Sequence, residues 1–131
     1  MSKKHLVAVY GSLKRGYGNF RVMERAKGKF ILEAISKKTF VMDGSGYPYI
    51  NYATGENAHP IFVELFEVDE WGFTNPLDSL EGHPHFYKRE LETFVLPDGT
   101  EVEAWVYVLQ SAVEANLGLL KEINGQTVYF W

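Results

Sequence analysis

Residues 87–95 and 101–109 are two β-rich arms on either side of Pro97-Asp98-Gly99. That arrangement predicts a β-hairpin, because Asp-Gly is a favoured turn between antiparallel strands. In the second arm Val102, Ala104, Val106 and Val108 occupy one face. Residues 61–68 read as a further strand, with Ile61, Val63 and Leu65 on one side and Phe62, Glu64, Phe66 and Val68 on the other. Both sides are largely apolar, so this strand is expected to be covered on both, with the Glu64 carboxylate among hydrophobic neighbours.

The remaining segments fit around these strands. Residues 6–10 are short and apolar and read as a buried strand that stops at Gly11, where a basic, glycine-rich loop follows over residues 11–18. The spacing predicts a short helix over residues 19–27, ended by Gly28 in the left-handed conformation that glycine tolerates. Residues 29–36 and 39–43 have strand composition, and residues 43–46 and Tyr47-Pro48 read as turns. Asn75-Pro76 reads as a helix start, with Asn75 as the cap, Pro76 at the first helical position and Asp78 near the positive end of the dipole. That helix is expected to run to about Glu81, to bury Leu77 and Leu80, and to be closed by Gly82. A helix is expected over residues 112–122, and an Asn124-Gly125 turn into the apolar residues 128–131.

No repeat, linker or low-complexity tract interrupts the chain. Its order of elements is not the regular strand–helix alternation of a doubly wound sheet; it suits a mixed α+β fold, a small and closed or nearly closed β-barrel with short flanking helices. With 131 residues, 46% of them apolar and 15% aromatic, one core is expected, and hence a single domain over residues 1–131.

Composition also removes functions. A net charge of −4 gives no basic face for nucleic acid. No apolar run approaches the roughly 20 residues that cross a bilayer, and residues 1–5 lack the apolar stretch of a signal peptide, so a cytoplasmic location away from membranes is expected. There is no cysteine, which excludes disulfides, a thiolate nucleophile and cysteine-ligated zinc.

Several stretches could carry chemistry. Backbone N–H groups in the loop at residues 11–18 could converge on an anion, with Lys14 and Arg15 adding positive field. The loop does not match a Walker A sequence, because Tyr17 follows Gly16, nor the dinucleotide pattern, because Asn19-Phe20-Arg21 follows Gly18. A smaller anion such as a carboxylate fits better, although a glycine-rich loop is commonly no more than a turn. Ser12 lacks the Gly-x-Ser-x-Gly elbow of a nucleophile. His83 and His85 flank Pro84 without the ligand offsets of a zinc site, so no metal is expected. Glu81, at the expected end of a short helix, would have its pKa nudged upward if partly buried there, which suits a group that must both take and give a proton; the plainer alternative is a solvated acid on a helix end.

Two of these stretches together resemble one family. Val9-Tyr10-Gly11-Ser12-Leu13-Lys14-Arg15-Gly16 is similar to the Tyr-Gly-Ser/Thr-Leu signature of the γ-glutamylcyclotransferase-like proteins, which include γ-glutamylamine cyclotransferases and AIG2-like proteins. Leu77-Asp78-Ser79-Leu80-Glu81-Gly82, followed by Tyr87-Lys88-Arg89, is similar to that family's second motif. Between them, Gly46-Tyr47-Pro48 resembles a Tyr-Pro turn of the family, and Glu64 stands where relatives carry Gly-Glu, with Val63 in place of the glycine. The likeness runs over residues 6–109 and is poor beyond.

The resemblance implies a pocket at the mouth of a small barrel. It implies that Tyr10, Gly11, Ser12 and Leu13 hold the glutamyl end of a substrate, that Glu81 is the catalytic carboxylate, and that Tyr87 and Arg89 help to build the pocket wall. The reaction it implies is cyclisation of a γ-glutamyl amine or γ-glutamyl amino acid to 5-oxoproline with release of the amine. Nucleophile and carbonyl belong to the same molecule, so neither a protein nucleophile nor a cofactor is needed. The alternatives are a non-catalytic binding protein on the same fold, and a metal-dependent hydrolase using His83, His85 and Glu81.

Overall fold

A computed structural model of the chain describes residues 4–11, 13–44, 48–78 and 87–131. In chain order the strands are β1 (Lys4–Val9), β2 (Lys29–Ser36), β3 (Phe40–Asp43), β4 (Tyr49–Tyr52), β5 (Phe62–Asp69), β6 (Tyr87–Val95), β7 (Glu101–Leu109), β8 (Leu120–Ile123) and β9 (Gln126–Tyr129). Five of them form a closed barrel in the order β1, β5, β2, β6, β7. Its neighbours are antiparallel except at the closing seam, where β1 runs parallel to β7 with Val7 opposite Trp105 and Ala8 opposite Val106. The two remaining pairs, β3 with β4 and β8 with β9, are separate hairpins.

Strand alternation sorts the apolar residues into two clusters. Ala8, Ala34, Val63, Leu65, Phe94, Ala104, Val106 and Val108 come from all five barrel strands and fill its interior, together with Phe40, Met42, Ile50 and Tyr129 from the smaller hairpins. Val7, Val9, Phe66, Val68 and Tyr107 lie on the opposite face and bury a second cluster against the helices, including Met23, Phe73 and Leu77. The two-sided burial expected of residues 61–68 is therefore observed, as is the shared inner face of Ala104, Val106 and Val108. The 87–109 hairpin has the bounds expected, and its turn is held by the Asp98 carboxylate, which accepts from the Thr100 amide (2.9 Å) and hydroxyl (2.6 Å), with Gly99 at φ +89°.

Three local expectations are corrected. Helix α1 (Phe20–Arg25) ends with Lys27, not Gly28, in the left-handed conformation (φ 57°). The Gly28 amide then reaches back to the Met23 carbonyl (3.0 Å) and the Lys27 amide to Glu24 (3.0 Å), a Schellman closure. Gly28 serves close packing instead: a Cβ there would sit 2.2 Å from the sulfur of Met23. The second helix starts earlier than Asn75. Asp69, the last residue of β5, caps α2 (Glu70–Gly72) by accepting from the Gly72 amide at 2.8 Å, and the helix continues as a wide π-type turn over Phe73–Leu77 that has Pro76 inside it. Its expected end at Glu81 and Gly82 and the burial of Leu80 lie outside the described residues. Residues 112–122 are not a helix. Asn116 accepts from the Gly118 amide (3.1 Å) to cap a single 3-10 turn, Leu117–Leu119, and β8 follows. Asn124-Gly125, both at positive φ (51° and 80°), then turns the chain into β9.

Among the described residues no helix is long and apolar enough to cross a membrane. The two helical segments are pressed together so closely that a Cβ on Gly72 would lie 2.4 Å from the Ala26 carbonyl oxygen. That oxygen belongs to the backbone and cannot rotate away. Gly72→Ala is therefore expected to destabilise the protein by about 1–3 kcal/mol, read as a lower urea midpoint with unchanged slope; a midpoint within error of wild type would refute this account of the contact.

Candidate active site

The register of β1 determines what surrounds the loop that follows it. Val9 pairs with Glu64 on β5, and Ala8 pairs with Val106 on β7, which places Tyr107 beside the end of β1. Tyr10 is buried, and its hydroxyl donates to the Tyr107 carbonyl (2.7 Å). The chain then turns at once, as the Lys14 amide donates to the Gly11 carbonyl (2.9 Å) across a turn whose third residue, Leu13, is buried. Ser12 lies outside the described residues.

This turn is braced on several sides. At Gly11 an added Cβ would sit 2.2 Å from Cγ of Pro48, so glycine is what lets the segment before β4 approach. On the β5 side the buried Glu64 carboxylate accepts from the Arg15 amide (2.9 Å) and lies 3.4 Å from Arg15 Nε. Glu64 stands opposite Glu33 in the β2–β5 register, and the Arg15 guanidinium, 4.0 Å from Glu33, relieves the repulsion of two carboxylates on adjacent strands. It also lies over the Phe30 ring at 3.4 Å. Lys14 is buried, and its ammonium donates to the main-chain oxygen of Trp131 (2.7 Å) while lying 4.4 Å from the Tyr17 ring and 4.3 Å from that of Phe130. Burial pushes the Lys14 pKa down to about 8, against an opposing pull from Glu64 and Glu33.

The cations expected to add positive field in the loop are thus committed to protein groups. The Lys14 and Arg15 amides are also taken up internally. Among the described residues, the amides of Gly11 and Leu13 have no protein acceptor.

Opposite the turn stand the residues that flank the second motif. Asp78 is buried; its carboxylate accepts from the Tyr107 hydroxyl (2.6 Å) and lies 3.4 Å from the Arg89 guanidinium, which covers the Phe73 ring at 3.8 Å. Tyr87 is buried and donates to the Pro48 carbonyl at 3.3 Å. Glu81, His83 and His85 lie outside the described residues. Of the residues singled out in the sequence, Tyr10, Gly11, Leu13 and Tyr87 therefore gather around Pro48 and Tyr107, while Arg89 sits with Asp78 against Phe73. Sequence reasoning passed over Asp78 as a ligand of Tyr107, although it belongs to the same Leu-Asp-x-Leu-Glu-Gly stretch as Glu81. Nothing local marked Tyr107 or Trp131, which reach the loop only through the fold.

Comparison with known proteins identifies relatives. The family described as gamma-glutamyl cyclotransferase, AIG2-like, matches residues 7–126, which extends the likeness well past residue 109 and into β9. A protein of Methanocaldococcus jannaschii that carries gamma-glutamylcyclotransferase as a provisional name is 37% identical over 101 residues, covering 77% of this chain and 81% of its own length. One from Drosophila melanogaster, provisionally named in the same way, is 32% identical over 111 residues, covering 80% of this chain and 69% of its own. The crystal structure of a mouse AIG2-like protein superposes with a TM-score of 0.70 at 26% identity, covering 84% of this chain and 80% of that one.

Lys14 binds its proton less tightly in the folded protein than in an unfolded chain, whose lysine pKa is 10.5. Between about pH 8 and pH 10.5 the unfolded chain therefore holds more protons, and this group's contribution to stability rises with pH across that window. The stability difference between wild type and Lys14→Met, from urea titrations at pH 7 to 10, is expected to be flat up to about pH 8 and then to grow in favour of wild type. A difference independent of pH over the whole range contradicts burial of the ammonium.

Proposed function

This chain belongs to the gamma-glutamyl cyclotransferase, AIG2-like family, and on that premise we propose that it cyclises a small γ-glutamyl amine or γ-glutamyl amino acid to 5-oxoproline, releasing the amine, with Glu81 as general acid and base. One observation carries the reading. The described residues on both sides of Glu81 are fastened around the turn at residues 11–14: Asp78 through Tyr107, which accepts from Tyr10, and Tyr87 through Pro48, which abuts Gly11. Glu81 follows Asp78 by three residues, a reach of roughly 10–11 Å at full extension. A carboxylate so tethered suits a pocket the size of one amino acid facing that turn.

The chemistry asks little else of the protein. The substrate's α-amine attacks its own γ-carbonyl carbon, a carbon–nitrogen bond of the five-membered lactam forms, and the bond to the departing amine breaks. Folding the substrate into that pose supplies much of the acceleration, since effective molarities on the order of 10⁵–10⁸ M attend well-oriented intramolecular attack. The amides of Gly11 and Leu13, with Ser12 between them, are assigned to the substrate carboxylate or to the oxyanion that develops on the carbonyl. Glu81 takes a proton from the α-ammonium to free the attacking lone pair and gives it to the leaving nitrogen; the second proton shed as the lactam forms follows the same route, so that the amine departs as an ammonium. Tyr87 and Arg89 support the wall, Arg89 through Asp78.

The purified protein should convert at least one member of a panel of γ-glutamyl amino acids and γ-glutamyl-lysine to 5-oxoproline, detected by mass spectrometry. Glu81→Gln is expected to lower that rate by about 10²–10⁴ while still binding the ligand. An unchanged rate removes Glu81 from the mechanism, and binding without turnover by wild type favours the non-catalytic alternative.

A further inference from the structure

The loop that follows β1 is attached to the far end of the sequence by one buried side chain. Lys14 has a double role: its backbone amide closes the Gly11–Lys14 turn, and its ammonium leaves the turn for the main-chain oxygen of Trp131 and the rings of Tyr17 and Phe130. Tyr17, from the same loop, donates its hydroxyl to that same oxygen at 2.8 Å. Two donors from the loop thus converge on one acceptor 114 and 117 residues away.

The acceptor is itself firmly held. Val128 and Tyr129 are fully buried, the Tyr129 amide donates to the Pro60 carbonyl (2.9 Å) and its hydroxyl to the Asn57 carbonyl (2.7 Å), and the Phe130 amide donates to Leu119 (2.9 Å). The Phe130 ring packs on Phe62 of β5 with centroids 4.9 Å apart. Charged groups on three elements act on Lys14: Glu64 on β5 and Glu33 on β2 attract it, and Lys121 on β8, whose ammonium also lies 4.3 Å from the Phe130 ring, repels it. Filling this space needs no charge, and an apolar side chain would enter at lower desolvation cost. A lysine here supplies what an apolar residue cannot, a directional bond between loop and tail.

We propose that residues 130–131 are a positioning element of the substrate turn, and that Lys14 is the residue through which they act. The clamp keeps the turn at residues 11–14 in one shape, in which the Gly11 and Leu13 amides are left to a ligand, and so sets affinity for the substrate's anionic end; that last part rests on the cyclotransferase reading. Lys14 does not touch the reacting atoms. It is a positioning residue whose contribution falls on binding.

Hydrogen exchange measured by NMR tests the clamp without any substrate. In Lys14→Met, which keeps most of the stem, and separately in Phe130→Ala, the amides of residues 14, 15 and 17 are expected to exchange at least about tenfold faster, with β5 and β7 amides at wild-type rates. Unchanged exchange at those three amides in both variants overturns the proposal. So does equal acceleration throughout β5 and β7, which marks loss of core packing alone. With a substrate that wild type turns over, both variants should raise KM about tenfold and leave kcat within about threefold; local loss of protection with unchanged KM overturns the link to substrate. Absence of turnover by wild type defeats the cyclotransferase reading, and the exchange rates still decide the clamp.

Discussion

The parallel pairing of β1 with β7 is the contact on which the rest of the architecture depends. Remove it and the five strands are an open sheet with two edges; with it, the interior cluster from Ala8 to Val108 is enclosed. Because β1 is gripped by β5 on one side and β7 on the other, its final residue is presented beside Glu64 and Tyr107. The chain turns immediately after Tyr10, so the turn is set beside those two residues.

Around that turn, charge is handled by pairing it where it is buried. Glu64 takes Arg15, Asp78 takes Arg89 and the Tyr107 hydroxyl, and Lys14 takes the main-chain oxygen of Trp131 and two rings. Such groups lose hydration on burial, and only complete satisfaction by neighbours offsets the loss. The result is a turn held by directional contacts from β5 and from the residues after β9, and by close packing of the segment before β4. Rigid support of this kind is what recognition by backbone amides demands, because amides cannot reorient toward a ligand as side chains do.

The sequence was most legible where a single local rule decided the outcome. Alternation with an Asp-Gly turn gave the 87–109 hairpin, and two apolar faces gave β5. Residues 112–122 misled because Ala112, Glu114, Ala115 and Leu117 are good helix formers, whereas Asn116 spends its backbone amide on Met42 and its side-chain amide on Asp43, pinning the stretch against β3. Tertiary contact overrode propensity. Asn75-Pro76 misled because Asp69 stood in the better capping position, at the end of a strand, and the π-type turn accommodated Pro76. At the site, Tyr10, Gly11, Leu13 and Tyr87 were legible through motif likeness, which needs no knowledge of distance. Of the partners that brace them, Pro48 was marked as part of a turn, whereas Tyr107 and Trp131 carry no local mark; only closure of the barrel brings them there.

The long spans of these contacts bear on how the protein acquires its shape. The turn at residues 11–14 draws its supports from residues 48, 64, 107 and 131, all far from it along the sequence. Contacts so distant along the polypeptide are formed late and slowly, because loop entropy must be lost before they yield anything. The turn is therefore set only once the barrel has closed and the residues after β9 have docked against it.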